Sequence, residues 1–169
     1  MKNLLLFVIL AALISAAIPV SAATPAGAHD PFAGTWTLNA QRSKYPGGAC
    51  PKRMVIVMEP AGAGIRYHSE TTYANGSSAR AEYTADYSGR EAIVTGSTGL
   101  LLPVSLKRID QNTVVASYTR GLQVMATSKR VVSQDGRVMT VTTISPDKAG
   151  KKIASVGVYE KANEVARMK

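Results

Sequence analysis

Between Asp30 and Lys161 the chain is a succession of short segments that alternate apolar and polar residues, each closed by turn-forming residues, and no stretch keeps a helical period. Period-two alternation sends successive side chains to opposite faces of a strand. In the segment Arg80 to Tyr87, for instance, Ala81, Tyr83, Ala85 and Tyr87 oppose Arg80, Glu82, Thr84 and Asp86. From Ile65 to Tyr73 the set Ile65, Tyr67, Ser69, Thr71 and Tyr73 opposes Arg66, His68 and Glu70. Met54 to Met58 is apolar throughout and predicts a strand buried on both faces. Turns are expected at 60–64, at Asn75-Gly76, whose residues tolerate positive φ, at Ser88-Gly89, 110–112, Asp135-Gly136 and 146–150. The spacing predicts strands over 35–39, 53–59, 65–73, 80–87, 92–95, 104–109, 113–120, 122–132, 137–144 and 152–160. An open meander of this kind would leave unpaired edges, so the fold class expected is all-β, an antiparallel up-and-down barrel of about eight to ten strands. A two-sheet sandwich is the other arrangement that fits the pattern. The count stays open because 92–95 is short and 100–109 reads as one element or two.

The first residues have the three parts of a secretory signal: Lys2, an apolar run from Leu4 to Val20, and the small residues Ser21-Ala22-Ala23. The expected organisation is a signal peptide over 1–23, cleaved after Ala22 or Ala23, a flexible segment over 24–31, a barrel domain over 32–162 and a tail over 163–169. An uncleaved membrane anchor is the alternative for the apolar run. After cleavage no run long enough to span a membrane remains, and the expected location is periplasmic or secreted. Removing Lys2 from the twenty Lys and Arg leaves nineteen against eleven Asp and Glu, a net charge of +8. Such a balance favours anionic partners such as an envelope component, or simply keeps a solvated surface. Nucleic acid is not expected for an exported chain whose basic residues are dispersed. The single cysteine, Cys50, cannot form an internal disulfide. A monomer is expected, with a buried thiol or a Cys50-linked dimer as its two fates.

Catalytic signatures are weak. His29 falls in the loose N-terminal segment, and His68 shares a strand face with Arg66 and Glu70 that reads as solvent-facing. No Gly-x-Ser-x-Gly elbow, P-loop or dinucleotide-binding glycine pattern occurs. No catalytic residue, cofactor or metal is therefore expected. An enzyme would need His68, Glu70 and a tyrosine converging inside a pocket. The tyrosines are the better candidates for a site. Tyr67, Tyr73, Tyr83 and Tyr87 fall on the small or apolar faces of their strands, and Tyr118 shares a face with Val114 and Ala116. Inward tyrosines beside alanines leave room and offer hydroxyls to a ligand. A core filled by side chains is the competing expectation. Gly99-Leu100-Leu101-Leu102-Pro103 offers Leu101 as a ligand-touching residue at a barrel mouth, or as the buried start of the next strand.

Phe32-Ala33-Gly34-Thr35-Trp36-Thr37-Leu38 resembles the Gly-x-Trp opening of calycins, the lipocalins and fatty-acid-binding proteins. That resemblance implies a barrel whose closed end is plugged by Trp36 beneath a basic side chain from a late strand, with Arg130 or Lys129 as the candidates. Val158-Tyr159-Glu160-Lys161 resembles the last strand of fatty-acid-binding proteins, where an Arg-x-Tyr pair grips a ligand carboxylate; Tyr159 takes the tyrosine position, but Gly157 stands at the arginine's. The connection from Asn39 to Lys52 is too short and too rich in Pro and Gly for that family's helical lid. Together with 43–45, 83–87, 94–96 and 105–110, these motifs also resemble a group of exported bacterial lipocalin-like proteins, which implies the fold and no activity. The expected function is non-catalytic binding of a small apolar or amphipathic ligand in a barrel cavity. The alternative is a filled barrel acting through its basic surface and loops on an envelope component or an enzyme.

Overall fold

A computed structural model of the chain describes residues 30–46, 50–97, 102–147 and 149–162. The signal segment, the start of the 24–31 segment, the tail and Leu101 lie outside the described residues. The strands are β1 (Gly34–Leu38), β2 (Arg53–Ala61), β3 (Gly64–Thr72), β4 (Ser78–Asp86), β5 (Ser88–Ala92), β6 (Thr95–Gly96), β7 (Val104–Asp110), β8 (Thr113–Arg120), β9 (Gln123–Val132), β10 (Val138–Pro146) and β11 (Lys152–Lys161). A 3₁₀ turn, Ala40–Arg42, is the one helical element among the described residues.

All ladders are antiparallel, in the order β5-β7-β8-β9-β10-β11-β1-β2-β3-β4-β6. The two ends of that order belong to one piece of chain. β5 bonds β7, β6 bonds β4, and only Ile93 and Val94 separate β5 from β6. Residues 88–96 thus form one interrupted strand that closes the sheet into a barrel. Counted as one, β5 and β6 reduce the eleven segments to ten. The strand expected at 92–95 lies on that interruption, and Ser88-Gly89, expected as a turn, already begins β5, with Tyr87 alone between β4 and β5. The bend is built by Asp86, whose carboxylate accepts the Ser88 N–H and hydroxyl and the Arg90 guanidinium.

Inward parity follows the sequence pattern on β3 and β4, where Ile65, Tyr67, Ser69, Thr71, Tyr83 and Ala85 are buried. On β2 the expectation of burial on both faces fails. Ile56 and Met58 are buried inside, whereas Val55 and Val57 lie on the outer face, half exposed. A single-layer barrel has no second sheet to cover that face.

One end of the barrel is filled. The Trp36 ring is fully buried, and its Nε1–H donates to the Phe32 carbonyl at 2.8 Å. The cation over the ring is Lys161, Nζ 5.1 Å from the ring centroid, and not Arg130. The reason is register: Lys161 pairs with Trp36 across the β1–β11 ladder. Gly34 makes room for it, since its φ is +130° and a Cβ there would come within 2.6 Å of Lys161 Cε. Beside this plug, Asp30 receives hydrogen bonds from the Phe32 N–H (3.0 Å), the Tyr87 hydroxyl (2.7 Å) and Arg108 Nη2 (2.8 Å). Arg108 in turn lies 4.0 Å from the Tyr87 ring centroid and 5.6 Å from that of Phe32. Asp30, which the sequence assigns to the loose segment, is an anchor of the closed end.

Two expectations follow. Trp36→Ala lowers unfolding free energy by about 3–5 kcal/mol in urea denaturation, because a large cavity replaces the plug. The Ser88 and Arg90 contacts hold the Asp86 carboxyl at about 2, below its ordinary 3.8. A carboxylate with a depressed folded-state pKa adds stability above its unfolded value and loses it as pH falls through the folded one. Asp86→Asn is therefore less stable than the parent at neutral pH, and the difference closes between 3.8 and about 2 in acid denaturation curves.

Candidate functional site

Toward the opposite, open end the interior is not filled. A cavity of about 240 Å³ remains, walled by Met54, Ile56, Met58 and Met139, with Tyr45, Tyr67, Tyr73, Tyr118 and Tyr159 around it and Thr71, Ser128, Thr143 and Arg130 as its other polar groups. Side chains leave that volume of the interior unfilled among the described residues. It is close to the lower end of ligand pockets, which run from about 300 Å³ upward.

The central group is Arg130, on β9 between the inward Ser128 and Val132 and buried with them. Its Nη2 donates to the Tyr118 hydroxyl at 3.2 Å, and its guanidinium carbon lies 5.2 Å from the Tyr67 ring centroid. Tyr83 stacks on Tyr67 with centroids 4.6 Å apart. Arg130 Nη1 and the Tyr83 hydroxyl are both buried without a hydrogen-bond partner. No Asp or Glu lines the cavity among the described residues. Burial works against the Arg130 charge, but the oxygens of Tyr83, Tyr118 and Tyr67 outweigh it and hold the guanidinium firmly protonated. Desolvation pushes the phenols of Tyr67, Tyr83 and Tyr159 above their ordinary value.

Tyr159 reaches the cavity and its hydroxyl donates to Met54 Sδ at 3.2 Å. At Gly157 a Cβ would lie 2.8 Å from the Tyr159 ring and 2.9 Å from the Tyr45 hydroxyl, so these two rings occupy the space above the glycine. Val141 on β10 pairs with Arg130 on one side and Gly157 on the other. The three residues form one row on one face, and the guanidinium that β11 lacks at Gly157 is supplied in that row by β9.

Of the tyrosines singled out from the sequence, Tyr67, Tyr73, Tyr118 and Tyr159 line the cavity, and Tyr83 packs against Tyr67 behind it. Tyr87 does not join them: its hydroxyl is bound to Asp30 and its ring carries Arg108 at the closed end. Arg130 belongs to the cavity rather than to the Trp36 plug. His68 and Glu70, 3.7 Å apart, sit with Arg80 on the outer face and do not converge on the cavity. Tyr45 and Met54 are cavity residues that sequence reasoning passed over. Tyr45 comes from the 39–52 connection, where no period exists to read.

The architecture is a closed antiparallel up-and-down β-barrel, calycin-like in fold. No family model matches the chain, and no curated protein matches its sequence. Among solved structures it is similar to zebrafish ileal bile acid-binding protein complexed with cholic acid, with a TM-score of 0.52 and 14% identity over 78% of this chain and 99% of that one.

The raised phenol pKa values have a measurable consequence. A tyrosine whose folded-state pKa lies above its unfolded value of 10.0 stabilises the fold below that pH and loses the contribution as pH rises further. In an alkaline titration, the tyrosinate absorbance of Tyr67, Tyr83 and Tyr159 appears together with the loss of far-ultraviolet dichroism, not before it.

Proposed function

We propose that the chain is an exported, lipocalin-like binding protein that holds a small amphipathic ligand in its barrel cavity, the ligand's anionic head against Arg130 and its apolar part against the methionine wall. The observation that carries this reading is a buried guanidinium with a free N–H and no carboxylate beside it. The partners of this cation are neutral hydroxyls and the Tyr67 ring, and among the described residues its Nη1 has no hydrogen-bond partner. A carboxylate or similar anion entering the cavity completes the arrangement through charge-assisted hydrogen bonds.

The resemblance to fatty-acid-binding proteins points the same way, with Arg130 and Tyr118 replacing an Arg-x-Tyr pair confined to the last strand. The similar zebrafish protein was crystallised with cholic acid, an amphipathic acid. The reading is non-catalytic because the polar groups of the cavity include no nucleophile–base pair. Export rests on Lys2, the apolar run Leu4 to Val20 and the small residues before Thr24. The cavity favours this container over the alternative of a filled barrel acting only through its surface.

Calorimetric titration with dodecanoate and with dodecanol tests the head-group assignment. The parent binds dodecanoate more tightly, and Arg130→Met weakens dodecanoate about tenfold to a hundredfold while leaving dodecanol unchanged. The same variant is at least as stable as the parent without ligand, because Met removes an unpaired buried charge at similar volume. Equal affinity of the parent for acid and alcohol, or an Arg130→Met variant that keeps the preference, overturns the reading.

A further inference from the structure

Apolar side chains left in water are unevenly distributed over this barrel. Among the described residues five large ones are exposed, and four of these, Ile93, Leu122, Val124 and Ile144, are at the open end, with Ile109 at the closed one. Leu122 is the tip of the β8–β9 hairpin and is wholly exposed. Ile93 interrupts the closing strand. Val124 and Ile144 border an open groove of about 300 Å³ on the outside of β9 and β10, with Met125, Pro146 and Lys152. Ile144 faces outward because Val141, three positions earlier, shares the inward row of Arg130.

The charges around these side chains have one predominant sign. Arg120 sits beside Leu122, Lys151 and Lys152 open β11, and Lys52 and Arg53 open β2 at the same end, all exposed. Among the described residues none of these five pairs with a carboxylate. The acids nearby are engaged locally: Glu91 accepts from the Thr119 hydroxyl at 2.6 Å, and Asp147 accepts the backbone N–H groups of Ala149 and Lys151. Glu70 is bound by Arg80. At the closed end the balance differs, with Asp30 and Asp86 bound to Arg108 and Arg90, and Asp110 and Asp135 in the hairpin turns.

We propose that the open rim is a membrane-contacting surface, on which Leu122, Val124, Ile144 and Ile93 enter the headgroup region of an anionic bilayer while Arg120, Lys151 and Lys152 meet its phosphates. Apolar side chains at separate hairpin tips, flanked by unpaired cations, suit a soft and negatively charged interface better than the continuous apolar core of a protein–protein contact. The barrel then stands with its mouth toward the lipid. This inference rests on the rim alone and holds or fails independently of what Arg130 binds.

Flotation of the purified protein with phosphatidylcholine vesicles, with and without phosphatidylglycerol, tests it. The protein floats with the anionic vesicles only, and added salt releases it. The combined variant Leu122→Ser, Val124→Ser and Ile144→Ser reduces the bound fraction about tenfold or more at unchanged charge, as does Lys151→Glu with Lys152→Glu. Ile109→Ser, at the other end, binds as the parent does, and Trp36 fluorescence reports that each variant is folded. Absence of flotation with anionic vesicles overturns the proposal, as does equal loss on Ile109→Ser. Binding to soluble polyglutamate that needs the lysines but not the apolar triad assigns the rim to acidic polymers and also overturns it.

Discussion

A sheet whose two edges are bonded by the same strand has no freedom of register. Residues 88–96 bond β7 with their first half and β4 with their second, so the offset of every ladder around the ring is fixed by the others. Because side chains alternate strictly along a strand, a slip of one residue anywhere would exchange the inner and outer sets. Here it would turn Arg130, Ser128 and Val132 out and Lys129 and Val131 in. Closure therefore decides more than the outline of the fold: it forces an arginine into the interior, because that position belongs to the inward set whatever its chemistry. The bend that starts the closing strand depends in turn on Asp86, a single half-buried carboxylate that holds Ser88 and Arg90.

Within this fixed frame, the two halves of the interior are filled by different means. Phe32, Trp36, Ile65 and Leu106 crowd the closed half, and all are essentially free of solvent. Toward the open half, inward positions carry Ser69, Thr71, Ser128 and Thr143, too small to meet across the barrel. The tyrosines bridge that space partly, as stacked rings and rim hydroxyls, and the rest is the cavity. Arg130 stands between the halves, its flat guanidinium against the Tyr67 ring on the dry side and its free N–H among the tyrosines. An aliphatic residue there would pack with the same wall at lower electrostatic cost. Under the proposed function, this arginine is the group that meets the anionic head.

Much of the frame was legible in the sequence because it rests on period-two alternation and on turn residues, both local signals. The inward faces of β3 and β4 and the Asn75-Gly76 hairpin could be read directly, whereas the plugging role of Trp36 came from the resemblance of its Gly-x-Trp segment. What could not be read depends on which strands become neighbours. Lys161 covers Trp36 because β11 pairs with β1, a relation between residues 125 positions apart. Arg130 and Lys129 differ only in parity, and on β9 neither set is clearly apolar: Ala126, Ser128 and Val132 accompany one, Thr127 and Val131 the other. Tyr87 shares the parity of Tyr83 yet ends at the closed end, since the Asp86 bend falls between them. Asp30 is separated from a tract of small residues by His29 alone and looks like part of it until Arg108 and Tyr87 are seen around it.

Charge ties the interior to the exterior. The cavity holds one cation and no acid among the described residues, the open rim is basic, and the carboxylates of the opposite end are largely paired or folded into turns. An anionic amphiphile approaching along the barrel axis from the open end meets favourable potential first at the rim and then at Arg130. Approaching the closed end, it meets Asp110 and Asp135 over a packed plug. The same distribution orders the protein at a negatively charged surface, mouth first, without any contact that fixes one rotational setting. Rim and cavity thus call for the same kind of molecule at different depths: a charged head with an apolar body, held in a bilayer outside and singly within the barrel. The two proposals are independent in their residues, since no rim side chain reaches Arg130, yet each places the anionic head on the side where the other needs it.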